Sequence, residues 1–160
     1  MAAVLILHAV VAVAAGVSAR RLQAKAFLVA ALAPLASVAW LVAQAGSVLD
    51  GGTVVQHIEW VPSMGVDIEL RLDGMALLMA GLVSGIGVLV FAYAAWYFGP
   101  RADLGRLVAN LVAFSRAMLG VVLADELFLL YVFWELTSIC LLYTSPSPRD
   151  ISGSRMPSSA

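Results

Sequence analysis

The sequence predicts an all-α polytopic membrane protein of about five helices, with a single long connection between the second and third. Two observations predict it. The chain of 160 residues is 62% hydrophobic and only 12% charged, against about 25% charged residues in an ordinary soluble domain. Its apolar residues also fall in long blocks, each near the roughly 20 residues with which a helix crosses a ~30 Å hydrocarbon core. Lipid offers the backbone no hydrogen-bond partners, so each block must pair its own amides and carbonyls, as a helix does.

The first block, Ala2–Ala19, ends in the small residues Gly16-Val17-Ser18-Ala19, as a signal peptide would. No Lys or Arg precedes it, however, and Arg20, Arg21 and Lys25 follow. That order reverses the basic n-region of a signal peptide, so the block is read as a membrane span. Ala26–Ala45 is the second span. Gly74–Gly99, Leu107–Ala124 and Leu127 to about Leu142 are the third, fourth and fifth. The intervening connection, Gly46–Leu72, carries Gly51-Gly52 and Pro62 as breakers. Within it Val66, Ile68, Leu70 and Leu72 alternate with Asp67, Glu69 and Arg71 around Pro62-Ser63-Met64-Gly65. Period-two alternation beside a Pro/Gly turn is a hairpin signal. The pattern alone leaves a small β-hairpin and an irregular loop equally open. No internal repeat is visible, and residues 1–139 read as one membrane domain.

Loop charges set an expected orientation. Arg20, Arg21, Lys25, Arg101 and Arg106 lie in the first and third connections. The second and fourth hold Arg71 alone among basic residues, beside Asp50, Glu59, Asp67, Glu69, Asp125 and Glu126. Basic loops favour the cytoplasmic side, so the amino terminus is expected outside and the fifth helix runs inward. The formal net charge of −1 gives no basic footprint for nucleic acid. The single cysteine, Cys140, excludes an internal disulfide framework and any multi-cysteine metal site. No cofactor motif is present.

From Cys140 onward the composition breaks. Pro146 and Pro148 block helical continuation, and the tail resembles translated sequencing adapter. The codons TGT CTC TTA TAC ACA TCT give Cys140-Leu141-Leu142-Tyr143-Thr144-Ser145, and CCG AGC CCA CGA GAC give Pro146-Ser147-Pro148-Arg149-Asp150. After a short variable stretch, Ser154-Arg155-Met156-Pro157-Ser158-Ser159-Ala160 continues the match in the same frame. Residues 140–160 are therefore read as a non-native tail.

Ionisable residues inside spans are costly and so mark function by default. Glu135 lies about eight residues, or roughly 12 Å, from the outer end of the fifth span. A carboxylate at that depth must pair, meet water or bind a proton. Tyr131 and Ser138, at i−4 and i+3, share its helical face. Arg116 lies mid-span in the fourth helix at a similar depth, either as an ion-pair partner or as a snorkelling residue. His8 sits on an apolar helix with no second histidine nearby, a packed or lipid-facing residue and not a ligand. His57 belongs to the outer loop and is expected to be solvated. Asp73, directly before Gly74, is expected to cap the third helix. Gly81, Gly85 and Gly87 are expected at close helix contacts.

Phe133-Trp134-Glu135-Leu136-Thr137-Ser138 resembles the fifth-helix signature of the large A subunit of Mrp-type multisubunit sodium/proton antiporters, relatives of the antiporter-like subunits of respiratory complex I. Trp60-Val61-Pro62, Leu70-Arg71-Leu72-Asp73-Gly74-Met75, Val83-Ser84-Gly85-Ile86-Gly87, Tyr93-Ala94-Ala95-Trp96-Tyr97, Ala117-Met118-Leu119-Gly120 and Leu123-Ala124-Asp125 fit in the same order. The resemblance covers about Ile58 to Ile139; the first two spans agree only in hydropathy. It implies that Glu135 occupies the place of a helix-five glutamate in the proton path, paired in the family with a lysine on helix seven. That helix is not in this chain. The resemblance thus implies a truncated ion-translocating subunit of a bacterial inner-membrane antiporter, inactive alone. Its expected partners are other antiporter subunits, sodium ions, protons and the lipid bilayer. Two other readings stay open: a proton-pumping antiporter-like subunit of complex I, and a non-transporting scaffold in which Glu135 merely pairs. Glu126 and Arg116 depart from the family pattern, where asparagine and a small residue are expected.

Overall fold

The computed structural model describes residues 1–61, 66–98 and 104–144. Helix α1 (Ala2–Leu22) passes through one 3-10 turn (Gln23–Lys25) into α2 (Ala26–Leu49). Strands β1 (Val54–Val61) and β2 (Val66–Leu72) follow, then α3 (Gly74–Tyr97), α4 (Leu104–Leu123) and α5 (Leu127–Thr144). Four of the helices are long and apolar enough to cross a membrane, and the apolar stretch of α5, Leu127–Leu142, is shorter. The predicted architecture of about five apolar helices with an intervening hairpin is the one observed.

Helix ends differ from the apolar blocks in an instructive way. Helix α1 continues past Ala19 through Arg20-Arg21-Leu22, and α2 runs past Ala45 to Leu49. Arginine is a good helix former whose long stem lets its charge reach the interface, so a helix need not stop where its apolar block does. Helix α1 stops at Gln23, which takes a positive φ of 50°. Helix α4 starts at Leu104, ahead of the expected Leu107, and α3 ends at Tyr97; Gly99, its expected last residue, lies outside the described residues. Helix α5 reaches Thr144, so the first residues of the suspected tail are helical. The adapter-like residues from Ser145 onward lie outside the described residues, as do Pro62–Gly65 and Arg101.

The helices pack chiefly as α1 on α4, α2 on α3 and α4 on α5. Between helices in lipid there is no water to expel, so close van der Waals approach has to supply the cohesion. Gly16, late in α1, faces Gly105 and Ala109, early in α4, which makes the two helices antiparallel. A Cβ on Gly105 would lie 2.7 Å from the Gly16 carbonyl oxygen, and one on Gly16 would lie 3.1 Å from Ala109 Cβ. Gly87 of α3 makes room for Pro34, buried in the middle of α2, whose Cβ would be 3.2 Å from a Cβ there. Gly81 and Gly85 correct the expectation of close packing: neither has anything within 4 Å of a Cβ. They line an apolar groove with Val38, Leu41, Val42, Ala45 and Leu77, because α2 does not close on α3 along that stretch. The contacts that truly require glycine involve α1 and α4.

The connection forms the hairpin. β1 and β2 pair antiparallel, with Val54 opposite Leu72, Gln56 opposite Leu70 and Ile58 opposite Ile68. Leu70 and Leu72 are buried while Arg71 between them is exposed, as period-two alternation requires. Leu70 and Leu72 join Val4, Leu5, Leu41, Leu119, Leu123 and Phe133 in the core cluster at this end of the bundle. A second cluster, with Ala15, Ala19, Phe27, Ala30, Phe91, Leu104 and Val108, fills the other end. The hairpin is tied down by the Asp125 amide, which donates to the Glu69 carbonyl at 3.1 Å. Arg71 adds contacts of 3.7 Å to Asp125 and 4.0 Å to Asp73. Asp73 caps α3 as expected: its carboxylate accepts from the Ala76 amide at 2.8 Å, worth about 1 kcal/mol.

Candidate functional site: an intramembrane carboxylate on the open face of α5

Helix α5 has two chemically different sides. Leu129, Phe133, Thr137 and Cys140 are buried, a spacing of roughly one turn that defines the side seated on α4. Gly120 decides how closely it seats. A Cβ there would fall inside the Phe133 ring, so only glycine at this position admits the phenyl group. Glu135 lies two residues from both Phe133 and Thr137, which at about 100° per residue turns it away from α4. It is exposed, together with Tyr131, Trp134 and Ser138.

The open face therefore presents a carboxylate between two aromatic rings. The Ser138 hydroxyl donates to the Trp134 carbonyl at 3.4 Å, and the Thr137 hydroxyl donates to the same carbonyl at 2.6 Å. Both serve their own helix. Tyr131, one turn from Glu135, keeps its place on the shared face. Among the described residues, the ion pairs are His57 with Asp67, Arg71 with Asp73 and Arg71 with Asp125. None of them involves Glu135 or Arg116.

Arg116 has a different neighbourhood. Its Nε is buried without a hydrogen-bond partner, and its charge reaches His8 on α1. His8 is 1% exposed, and its Nδ1 lies 2.9 Å from the Val4 carbonyl oxygen, which holds the ring against its own helix. It is packed, as the apolar sequence around it suggests. His57 is half-exposed on β1 and faces Asp67 across the hairpin, 3.6 Å away, so it is solvated but not free. Two features escape a reading of the sequence. One is the Phe133 seat at Gly120, although Gly120 stands in one of the family-like motifs. The other is the approach of His8 to Arg116, which no local pattern signals because the residues are far apart in the chain.

A multi-pass α-helical bundle with one intramembrane carboxylate turned outward is the class of protein this geometry defines. The likenesses found in known proteins agree with it. Residues 58–106 match the family described as NADH-ubiquinone oxidoreductase (complex I), chain 5 N-terminus. The A subunit of the Na(+)/H(+) antiporter of Alkalihalophilus pseudofirmus is 47% identical over 95 residues, which cover 58% of this chain and 12% of that protein. The A1 subunit of the Na(+)/H(+) antiporter of Staphylococcus aureus is 46% identical over 90 residues, covering 56% of this chain and 11% of its own. The solved structure of an Mrp complex from Dietzia sp. superimposes with a TM-score of 0.64 at 30% identity, covering 94% of this chain and 16% of that one. The resemblance to the A subunit of Mrp-type antiporters thus stands. The chain corresponds to about an eighth of the length of those relatives. Together with its apolar helices, these likenesses make it a multi-pass bacterial membrane protein.

Proposed function

We propose that the chain is a truncated part of the ion-translocating subunit of a multisubunit sodium/proton antiporter, and that Glu135 carries protons or ions in it. The observation that carries this reading is the exposed Glu135 on α5. It lies within a six-residue signature, Phe133–Ser138, like that of the antiporter's large A subunit. A carboxylate at membrane depth is too costly to leave without a task, and here its open face awaits helices beyond this chain. The fragment by itself lacks those helices and is inactive alone. As a transporter part it is no enzyme. Its partners are other antiporter subunits, and it sits in the inner membrane with its amino terminus outside.

The match of residues 58–106 to the complex I chain 5 family favours one alternative, a proton-pumping subunit of that enzyme. Sequencing the DNA that flanks this reading frame separates the two. Genes for small antiporter subunits beside it support the antiporter, and genes for flavin or iron–sulfur subunits support complex I. The scaffold reading is separated by the variants of Glu135 considered below. The same reads test the tail: genomic sequence is expected to diverge after about Ile139 and to continue α5 with apolar codons. Reads running unbroken through Pro146 to Ala160 would overturn that.

Orientation follows from the basic loops. A cysteine replacing Thr53, exposed beside the hairpin, is expected to react with an impermeant maleimide in intact cells. One replacing Lys25, exposed at the other side, is expected to react only after permeabilisation. The opposite pattern would invert the proposed half-channels.

A further inference from the structure

Arg116 poses a physical problem that no other charged residue described in the bundle poses. A guanidinium does not lose its proton in a protein, so Arg116 carries a full positive charge inside the membrane span. Arg71, at the surface, has Asp73 and Asp125 to offset its charge. Arg116 has no carboxylate partner among the described residues, and its Nε is sealed from solvent without an acceptor. Helix register says what lies opposite. Gly16 meets Gly105 and Ala109; eight residues back along α1 is His8, and eight forward along antiparallel α4 lie Ala113 and Ala117, bracketing Arg116. With Nδ1 directed to the Val4 carbonyl, the remaining ring nitrogen, Nε2, is the acceptor His8 can offer. An imidazole accepts a guanidinium hydrogen bond, directly or through one water, without cancelling its charge as a carboxylate would.

We propose that Arg116, seated against His8, is a fixed intramembrane positive charge that sets the pH range over which Glu135 works, acting through space as a positioning residue and not as an ion-pair partner. The proposal rests on Glu135 being the carrier. Arg116 and Glu135 lie on helices packed in contact, about 8–10 Å apart at their axes, and each stands about seven or eight residues from the outer end of its helix, at 1.5 Å per residue. Glu135 faces away, which excludes a bond but not a field in a medium of low dielectric. The other groups near this level are few. Tyr131 shares the Glu135 face, His8 stands behind Arg116, and the other charge on α4, Arg106, lies near its opposite end. A nearby positive charge favours an ionised carboxylate. Arg116 therefore keeps Glu135 able to release its proton at a lower pH than the bare membrane would allow.

The test uses the full-length protein in its assembled complex, with exchange measured in everted vesicles across a pH series. Arg116→Gln is expected to move the acid limb of the exchange profile up by about one pH unit, the effect of a unit charge roughly 12 Å away at an effective dielectric constant of about 20. Arg116→Lys, which keeps the charge, is expected to hold the wild-type midpoint. His8→Glu supplies a carboxylate to the guanidinium, and is expected to shift the midpoint in the same direction as Arg116→Gln. It tests the idea even where the glutamine variant does not assemble. An unshifted profile in either variant, with Glu135→Gln inactive, overturns the role of Arg116 and leaves that of Glu135 standing. Full exchange in Glu135→Gln overturns the carrier reading and this inference with it.

Discussion

Glu135→Gln, placed in a complete antiporter chain, is expected to abolish sodium/proton exchange in everted vesicles while leaving the protein in the membrane at wild-type amount. The glutamine keeps the shape and hydrogen-bonding length of the side chain and removes the group that can take up and release a proton. Glu135→Asp keeps the charge but shortens its reach, and is expected to retain part of the activity. Assembly should survive both changes, because Glu135 faces out of this bundle and no described residue forms an ion pair with it. Replacing a charge with a neutral isostere need not destabilise a helix. A structural carboxylate behaves in the opposite way: its loss lowers the amount of assembled protein and leaves exchange per molecule intact. Wild-type exchange in the glutamine variant, at equal protein, would favour the scaffold.

The largest effect on stability is expected at Gly120. Phe133 occupies the space a side chain there would need, and both belong to the stretch that holds α5 on α4. Gly120→Leu must displace the ring or separate the helices, an overpacking change that costs about 1–3 kcal/mol and sometimes more. The expected result is a fall of several degrees in the melting temperature of the detergent-solubilised complex, with less protein in the membrane. Combining Gly120→Leu with Phe133→Ala should recover part of that loss, since residues in contact do not act additively. Gly85→Ala is the control: nothing lies within 4 Å of its would-be Cβ, and it should change little. A Gly120→Leu protein as stable as wild type would show that α5 is held by something other than this seat.

Much of this is legible in the residue order. Span positions follow from the cost of an unpaired backbone in lipid, which leaves a 20-residue apolar block few alternatives. The hairpin is half legible. Its alternation stands in the sequence, but the decision between strand and loop lies in Leu70 and Leu72 reaching the bundle and in Asp125 bonding Glu69, both long-range events. The cap at Asp73 is local, and local chemistry predicts it. The glycines of α3 mislead because small residues signal a close contact only when another helix happens to face them. One does at Gly87 and does not at Gly81 or Gly85. Depth places Glu135 and Arg116 at the same level, since helical rise is fixed. Their opposed directions need the buried stripe of α5 and the α1–α4 register.

The most direct test of the central proposal is sodium-driven proton movement by a complete A-type chain in which residues 58–139 of this sequence replace the matching stretch, assembled with its partner subunits in antiporter-deficient cells. A proton gradient is established in everted vesicles and followed by a pH-sensitive dye as sodium is added. If Glu135 carries the proton, sodium collapses the gradient, potassium at the same concentration does so less, and Glu135→Gln removes the response. An assembled complex that leaves the gradient untouched by sodium would contradict the proposal.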